Sequence, residues 1–342
     1  MSHIPMQKRW TVKSRPTDEV RLEHFTLEEA AIPVPAQGQL LIETLLLSTS
    51  PPARMWLTSG GLSGKPIPIG DVMRGSGIGR VAASRHPGFS AGDLVSGSFG
   101  WQTHSLSDGA TLNPLSKVQA PKDLPLSTRL HVLGASGATA WFGLLEIGRL
   151  REGDTVVVSG AAGSVGAIVC QLARERGCRV IGIAGGEAKC KWLEEALGCA
   201  AAIDYKHEDV GARLNALCPG AIDVFFDNVG GDALDAALAE LAIGARVVLC
   251  GGTSQYQHDG AWQGPKNYFH LVYRQATMAG FYVFNFADRF DEALLPLEDG
   301  VRNGTIKYAE ERYEGIEQAP LALQRLLSGE NFGSTVISVA AE

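Results

Sequence analysis

The feature that most restricts the fold is a regular alternation of short apolar runs and helical segments in the middle of the chain. The apolar runs predict strands at Thr155–Ser159, Arg179–Ala184, Ala201–Asp204, Asp223–Asp227 and Arg246–Cys250. Between them the sequence predicts helices at Ala167–Arg174, Ala188–Leu197 and Leu234–Leu241. Strands that alternate with helices of about ten residues are typical of a parallel, doubly wound sheet. We therefore expect an α/β domain in this part of the chain.

The residues on either side of this domain predict a different architecture. Leu40–Leu46, Gly77–Val81 and Asp93–Val95 are short strand candidates that are separated by Pro/Gly turns rather than by helices. This pattern is typical of a compact, mostly antiparallel β domain. At the other end, the sequence predicts a helix at Ala319–Leu327 and a strand at Ser334–Val339. A chain of 342 residues is long enough for two domains.

Charge and hydropathy exclude two classes of partner. The 30 basic and 37 acidic residues give a net charge of −7, whereas a nucleic-acid partner requires a basic face. The first ten residues contain no apolar segment of the signal-peptide kind, and the longest uncharged run, residues 155–173, includes glycines, serines and a glutamine. We expect a cytoplasmic protein that binds neither nucleic acid nor membrane.

Cysteine and histidine spacing argues against a metal site. All six cysteines lie between Cys170 and Cys250, and no two of them form a C-x-x-C pair. Structural zinc sites need clustered thiolates at close spacing, and the eight histidines stand in no ligand pattern. We therefore expect reduced thiols and no zinc.

A glycine-rich turn follows the first predicted strand of the α/β domain. Gly160, Gly163 and Gly166 are spaced three residues apart, with Ala161-Ala162 where a strict G-x-G-x-x-G would have its first glycine. The amides of such a turn and the N-terminus of the next helix bind phosphate. Since a second strand begins at Arg179, the setting predicts a dinucleotide site rather than an ordinary turn.

The end of the second strand indicates which dinucleotide is bound. NAD-selective folds place Asp or Glu at this point to bind the ribose 2′-hydroxyl. Here the strand ends in Ala184-Gly185-Gly186, with Lys189 on the next helix and Tyr205 after the third strand. An open glycine pair beside a cation favours a 2′-phosphate and therefore NADP(H), although Glu187 and a merely solvated Lys189 keep NAD(H) open.

Longer motifs distributed over nearly the whole chain connect it with a known family. They are residues 73–81 (MRGSGIGRV), 139–148 (TAWFGLLEIG), 160–166 (GAAGSVG), 226–231 (FDNVGG), 264–268 (GPKNY), 278–281 (MAGF) and 329–333 (GENFG). On these residues the chain resembles the zinc-independent medium-chain dehydrogenase/reductases. Within them it is similar to the group of leukotriene B4 dehydrogenase/prostaglandin reductase, plant double-bond reductases and bacterial curcumin reductase.

The resemblance implies a domain division and a cofactor site. It implies a GroES-like, mostly-β catalytic domain (residues 1–131 and 305–342) and an NADP-binding Rossmann domain (residues 132–304), with NADPH as hydride donor. It implies that Gly163, Ser164, Val165 and Gly166 hold the pyrophosphate and that Lys189 and Tyr205 hold the 2′-phosphate. Further cofactor contacts are implied for Asn228, Cys250, Gly251, Ser254, Tyr256, Phe281, Tyr282, Val283 and Asn331.

The resemblance also implies the reaction, which is reduction of the C=C bond of an α,β-unsaturated ketone or aldehyde. Tyr256 then acts as a catalytic and substrate-binding phenol that stabilises the enolate, or alternatively only shapes the pocket. Arg54 is a second substrate-binding candidate. Pro52 stands where many members have a tyrosine that faces the substrate, so no specific substrate is implied.

Two other functions remain possible, and the resemblance implies an assembly. The scaffold also suits a zinc-free alcohol dehydrogenase or quinone oxidoreductase, and a non-catalytic NADP-binding sensor is the alternative outside enzymes. We expect a homodimer through a sixth, edge strand near residues 278–286, because an open sheet edge can pair with its twofold mate.

Overall fold

The computed structural model describes residues 5–61, 64–109, 115–256 and 262–342. The chain divides into two compact units. The first comprises Met1–Leu130, Glu310–Asn331 and Thr335–Glu342, and the second comprises His131–Ala309 and Phe332–Ser334. Both ends of the chain therefore contribute to the first unit, while a three-residue segment near the C-terminus belongs to the second.

Strands and helices are numbered in chain order. The strands are β1 (Met6–Val12), β2 (Phe25–Ala31), β3 (Leu40–Ser48), β4 (Ser76–Ser84), β5 (Leu94–Ser98), β6 (His104–Ser107), β7 (Ser116–Lys117), β8 (Thr155–Ser159), β9 (Arg179–Ala184), β10 (Ala201–Asp204), β11 (Ile222–Asp227), β12 (Leu241–Leu249), β13 (Thr277–Gly280), β14 (Glu310–Glu314) and β15 (Ser334–Ser338). The α-helices are α1 (Ala53–Leu57), α2 (Ala135–Phe142), α3 (Gly166–Glu175), α4 (Glu187–Glu195), α5 (Val210–Leu217), α6 (Gly231–Ala239), α7 (His270–Tyr273), α8 (Phe290–Asn303) and α9 (Ala319–Leu327).

The second unit is built on a parallel sheet in the order β10-β9-β8-β11-β12-β13. This is the strand order of a doubly wound dinucleotide-binding fold, so the predicted fold class is confirmed. Strand β8 is central, and its three consecutive valines, Val156, Val157 and Val158, are fully buried. A strand with helices on both faces reads as a continuous apolar run for this reason.

The α/β unit contains four helices that were not predicted, α2, α5, α7 and α8, and one predicted boundary is wrong. Helix α5 was not predicted, because its apolar stripe is short and Gly211 weakens the helical signal. Its start is set by Asp209, whose carboxylate accepts a hydrogen bond from the Ala212 amide at 2.7 Å. In addition, α6 ends at Ala239, and Leu241, which we predicted as helical, begins β12.

The first unit is mostly antiparallel. Its larger sheet has the order β14-β15-β3-β4-β5-β7 with β6 also paired to β3, and β1 and β2 form a separate hairpin. Strand β15 pairs with β3, so the C-terminal strand completes a sheet that begins near residue 40. The indole N–H of Trp10 donates to the Ile316 carbonyl at 2.8 Å and ties the two ends together a second time.

Within the described residues, no helix combines enough length with enough apolar character to traverse a membrane.

Candidate active site

The predicted site residues of the second unit gather at one edge of its sheet. The strand order reverses between β8 and β11, and in doubly wound sheets ligands bind outside the carboxyl ends of the strands at such a point. The glycine loop follows β8, Asn228 follows β11, and residues 250–256 follow β12. Residues 185–189 follow β9, Tyr205 follows β10, and residues 281–283 follow β13. Because the strands are parallel, all these loops emerge on the same side.

The glycine loop is shaped so that its backbone can approach a ligand. A Cβ on Gly166 would lie 2.4 Å from the Gly160 carbonyl oxygen and 2.8 Å from the Ala161 Cα, so only glycine fits there. Gly160 itself has φ of +60°. Among the described residues, the amides of Ser164, Val165 and Gly166 find no protein acceptor at the start of α3. Unpaired amides at a helix N-terminus are the groups that bind phosphate.

Strands β8 and β11 are joined beneath this loop by a buried hydrogen-bond network. The Ser159 hydroxyl donates to Asp227 Oδ1 at 2.7 Å and accepts from the Asn228 amide at 2.8 Å. Asp227 also accepts from the amides of Val229 and Gly230. Burial raises the pKa of Asp227, while the hydrogen bonds from Gly230 and Ser159 act in the opposite direction. The network holds Asn228 against the glycine loop.

The loop after β12 folds over Asn228 and carries Tyr256. The Thr253 amide donates to the Asn228 carbonyl at 3.3 Å, and the Ser254 amide donates to the Val229 carbonyl at 3.1 Å. The Tyr256 phenol oxygen accepts from the Gly252 amide at 3.2 Å, which leaves its own proton available for donation. Burial raises the pKa of Tyr256 above its ordinary value, so the phenol is protonated at neutral pH.

The loops after β9 and β10 form the other end of the site. Because Asp204 pairs with Ala184 in parallel register, Gly185 and Tyr205 leave the sheet side by side. A Cβ on Gly185 would lie 2.8 Å from the Tyr205 ring, so this glycine makes room for the phenol. Burial, followed by the nearby Asp204 carboxylate, raises the pKa of Tyr205, which therefore also stays a hydrogen-bond donor. Lys189 lies one turn into α4.

Asp204 was not identified from the sequence as part of this region. Its Oδ1 accepts from the amides of Gly186 at 2.8 Å and Lys206 at 3.1 Å, and its Oδ2 lies 2.8 Å from His207 Nδ1. Desolvation raises the pKa of Asp204, but the hydrogen bonds from Gly186 and His207 outweigh it and the net pKa is lowered. The carboxylate is therefore occupied in bracing the two loops. The sequence signal that could have identified Asp204 is its position as an acidic residue at the end of a predicted strand.

The C-terminal segment of the second unit lies against the same loops. Gly333 forms a parallel bridge with Gly163, and the Phe332 ring meets Trp192 on α4 edge-on, with centroids 5.1 Å apart. Gly333 has φ of +72°, and a Cβ there would lie 2.2 Å from the Ala309 carbonyl oxygen. Asn331 directly precedes this segment in the first unit and is buried. Trp192 was not identified from the sequence, since only its pairing with a residue 140 positions away gives it this place.

Two sets of predicted residues have contacts of a different kind. The side chains of Phe281 and Phe226 both crowd the position where Gly143 would carry a Cβ, at 2.7 Å each, and Val283 packs on the cluster around Phe142. Tyr282 remains exposed. Arg54, in the first unit, is 1% exposed, and its Nη1 donates to the Thr58 hydroxyl at 3.0 Å within the turn that follows α1.

The donor set of this edge fits a dinucleotide. It combines a loop that a single Cβ would close, three unpaired amides, and neutral phenols at either end. The six cysteines, all described, are free thiols. In the described ranges no group of three or more His, Cys, Asp or Glu residues is placed to hold a metal ion.

Comparison with known proteins agrees with this geometry. Residues 8–115 match the family described as N-terminal domain of oxidoreductase, and residues 164–298 match the family described as zinc-binding dehydrogenase. The NADPH-dependent curcumin reductase of Escherichia coli is 38% identical over 341 residues, covering 98% of this chain and 97% of that protein. Prostaglandin reductase 1 of Rattus norvegicus is 36% identical over 338 residues, covering 96% and 98%.

Solved structures show the same likeness in three dimensions. The crystal structure of CurA from Vibrio vulnificus superposes with a TM-score of 0.89 at 37% identity, covering 98% of this chain and 99% of that one. A second structure of CurA from that organism, in complex with NADPH, gives the same TM-score at 36% identity. With full-length relatives at this level of identity, the chain belongs to the zinc-independent medium-chain dehydrogenase/reductase family, in the group of the curcumin and prostaglandin reductases.

Proposed function

We propose that the protein is an NADPH-dependent reductase that saturates the C=C bond of α,β-unsaturated ketones and aldehydes. The observation that carries this proposal is the arrangement of Tyr256, a protonated and half-buried phenol, on the same sheet edge as the glycine loop. The similarity over nearly the whole chain to an NADPH-dependent curcumin reductase and to prostaglandin reductase 1 supports reduction of a double bond.

When bound, NADPH supplies the hydride, which adds to the β-carbon of the substrate. The two π electrons of the C=C bond then move toward the carbonyl oxygen, and an enolate forms. Tyr256 stabilises that oxygen by hydrogen bonding, because the Gly252 amide occupies an acceptor site of the phenol and leaves its proton free. A proton taken up from water at the α-carbon completes the saturated ketone or aldehyde.

The other residues of the edge bind and orient the cofactor. The amides of Ser164, Val165 and Gly166 bind the pyrophosphate, and Lys189 and Tyr205 bind the 2′-phosphate. Asn228, Cys250, Gly251, Ser254 and residues 281–283 contact the remainder of the cofactor. We assign Arg54 to the stability of residues 53–58 rather than to substrate, because its guanidinium is enclosed in the first unit.

The test is anaerobic stopped-flow measurement of absorbance at 340 nm with a panel of simple enones and enals, followed by product analysis. We expect loss of NADPH absorbance with formation of the saturated carbonyl compound. Formation of an allylic alcohol or a quinol would instead assign the scaffold to carbonyl or quinone reduction. NADPH binding without turnover on any acceptor would indicate a sensor protein.

Two tyrosine variants separate catalysis from cofactor binding on the same edge. Tyr256→Phe is expected to lower kcat on the order of 10²-fold, as for loss of one oxyanion donor, with little change in the Kd for NADPH. Tyr205→Phe removes a hydroxyl at the opposite end of the site and is expected to raise that Kd with little change in kcat. An unchanged kcat in Tyr256→Phe would reduce Tyr256 to a residue that shapes the pocket.

We also infer that two copies associate through β13. This strand lies at one edge of the sheet, and within the described residues it pairs with β12 alone. Exposed apolar side chains lie near it, in β12 and in the segment around α7 that precedes β13: Ile243, Tyr268, Phe269, Val272 and Tyr273. Antiparallel pairing of two β13 strands would continue the sheet across a twofold axis and cover this surface.

Light scattering coupled to size-exclusion chromatography tests the assembly. We expect a dimer mass for the wild type and a monomer for the double variant Val272→Glu/Tyr273→Glu. Leu295→Glu is the matched control, because Leu295 is equally exposed but lies on α8. A monomeric wild type at micromolar concentration would refute the inference.

A further inference from the structure

We propose that Lys206 is a specificity-determining residue for the 2′-phosphate of NADPH, acting beside Tyr205. The inference rests on the proposed function only in taking NADPH as the cofactor. Sequence reasoning directed attention to Lys189 on α4, because that lysine follows the second strand. The structure brings a different cation to the glycine pair at the end of that strand.

The position of Lys206 follows from the register of β9 and β10. Asp204 pairs with Ala184, so the residues after Asp204 run beside Gly185. A Cβ built on Gly185 would lie 2.8 Å from Tyr205 Cε1 and 3.0 Å from Lys206 Cε. The ring and the lysine stem therefore both pack against Gly185, and the ammonium is one bond beyond Cε. In this fold the 2′ substituent of the adenosine ribose binds at the end of the second strand, which here is the end of β9.

The backbone of Lys206 is held in place. Its amide donates to Asp204 Oδ1 at 3.1 Å, and the same oxygen accepts from Gly186 at 2.8 Å. One carboxylate oxygen thus fixes the loop that carries the lysine and the loop that carries the glycine pair. A cation on an anchored loop loses less conformational freedom when it binds an anion.

The acids that follow β10 have other partners than this lysine. Asp204 is occupied by the two amides and by His207, and the Glu208 carboxylate pairs with Arg213 Nε at 2.8 Å. Within the described ranges, Lys206 itself forms no ion pair. The ammonium of Lys206 is therefore available to an anion that binds beside Gly185. A phosphate dianion gains from this charge, whereas a ribose hydroxyl does not require it.

The test measures binding rather than turnover. Isothermal titration calorimetry of the full-length protein with NADPH and with NADH gives the preference of the wild type, of Lys206→Gln and of Lys206→Arg. Glutamine reaches as far as the lysine Cε that packs against Gly185, and it removes the charged ammonium. Lys191→Gln is the matched control, since Lys191 is an exposed lysine of α4 whose partner is Glu195 at 3.8 Å.

We expect Lys206→Gln to weaken NADPH binding about 10-fold, the size of one charge-assisted hydrogen bond partly screened by water, and to leave NADH binding unchanged. Lys206→Arg should retain the preference, and Lys191→Gln should match the wild type. Equal weakening of both dinucleotides, or no weakening of either, would overturn the role of Lys206 while leaving NADPH as the cofactor. A wild type that does not prefer NADPH would overturn both assignments, and the alkene assay above distinguishes that outcome from a failure of the reductase function.

Discussion

Replacing Gly166 by alanine tests the central geometric claim about the glycine loop. The added Cβ would lie 2.4 Å from the Gly160 carbonyl oxygen, whereas a Cβ on Gly163 would lie 3.2 Å from the same atom. To reach the contact that alanine would have at Gly163, the backbone at Gly166 must move by about 0.8 Å. The atoms in the way are backbone atoms of Gly160 and Ala161, which cannot rotate aside.

This displacement has two expected costs. Overpacking of this kind destabilises a fold by about 1–3 kcal/mol. The same movement shifts the amides of Ser164, Val165 and Gly166, and weakening one amide–phosphate bond lowers affinity by about 10-fold. We therefore expect Gly166→Ala to lower the melting temperature and to raise the Kd for NADPH.

The measurements are thermal unfolding followed by circular dichroism and calorimetric titration with NADPH. Gly163→Ala should cost little stability, because its contact requires a shift of only a few tenths of an ångström. Gly211→Ala, a helical position whose nearest neighbour would be 3.4 Å away, should stabilise α5 by up to about 1 kcal/mol. If Gly166→Ala melts and binds NADPH like the wild type, the close approach of α3 to the loop is not required and the argument is refuted.

Three further predictions concern pH, the C-terminal segment and the base of the sheet. Burial raises the pKa of the Tyr256 phenol above its ordinary value, so its contribution to the rate is complete at neutral pH and is lost only as the pH rises through the raised pKa. The ratio of kcat in the wild type to kcat in Tyr256→Phe should therefore stay constant from about pH 6 to about pH 9. A ratio that falls by pH 8 would contradict this prediction. Trp192→Ala removes the ring contact with Phe332 and should raise the Kd for NADPH by roughly 2- to 10-fold, whereas Trp192→Phe should bind like the wild type. If Trp192→Ala also binds like the wild type, the ring pair does not position residues 332–334. Arg246→Met leaves the buried Asp154 carboxylate without its ion-pair partner and should lower the free energy of unfolding by about 3–5 kcal/mol in chemical denaturation. The exposed control Lys191→Met should change it little. A small loss in Arg246→Met would mean that other groups compensate the charge of Asp154.

The central strands of the α/β unit were predictable because most of their residues are buried. Thr155–Ser159, Arg179–Ala184 and Ala201–Asp204 have the predicted bounds, and each is followed by a glycine or a polar turn that ends it. The helix α5 was missed because its stability depends on the cap at Asp209 and on packing, not on a strong apolar stripe. Local patterns thus located the strands better than the surface helices.

The parts of the candidate site that depend on local backbone conformation could be predicted from the sequence. The parts that depend on contacts between distant residues could not. The glycine-rich turn is visible in the sequence, and at Gly166 the backbone of Gly160 and Ala161 leaves no room for a Cβ. The contact between Lys206 and Gly185 could not be predicted, because it exists only through the parallel register of β9 and β10. Similarly, nothing local in the sequence connects Phe332 with Trp192.

The sequence by itself determined the kind of fold, the position of the glycine-rich turn and the family, because these depend on hydrophobic periodicity, on glycine spacing and on contiguous motifs. The tertiary structure decided which side chains lie beside those glycines and which loop amides and hydroxyls donate to Asp204 and Asp227. It also decided that the Tyr256 oxygen accepts from the Gly252 amide, which leaves the phenol proton available for donation. The physical reason is that periodicity and backbone conformation are local properties of a chain. Charge compensation and hydrogen-bond direction, in contrast, are set by residues that meet only after the sheet has assembled.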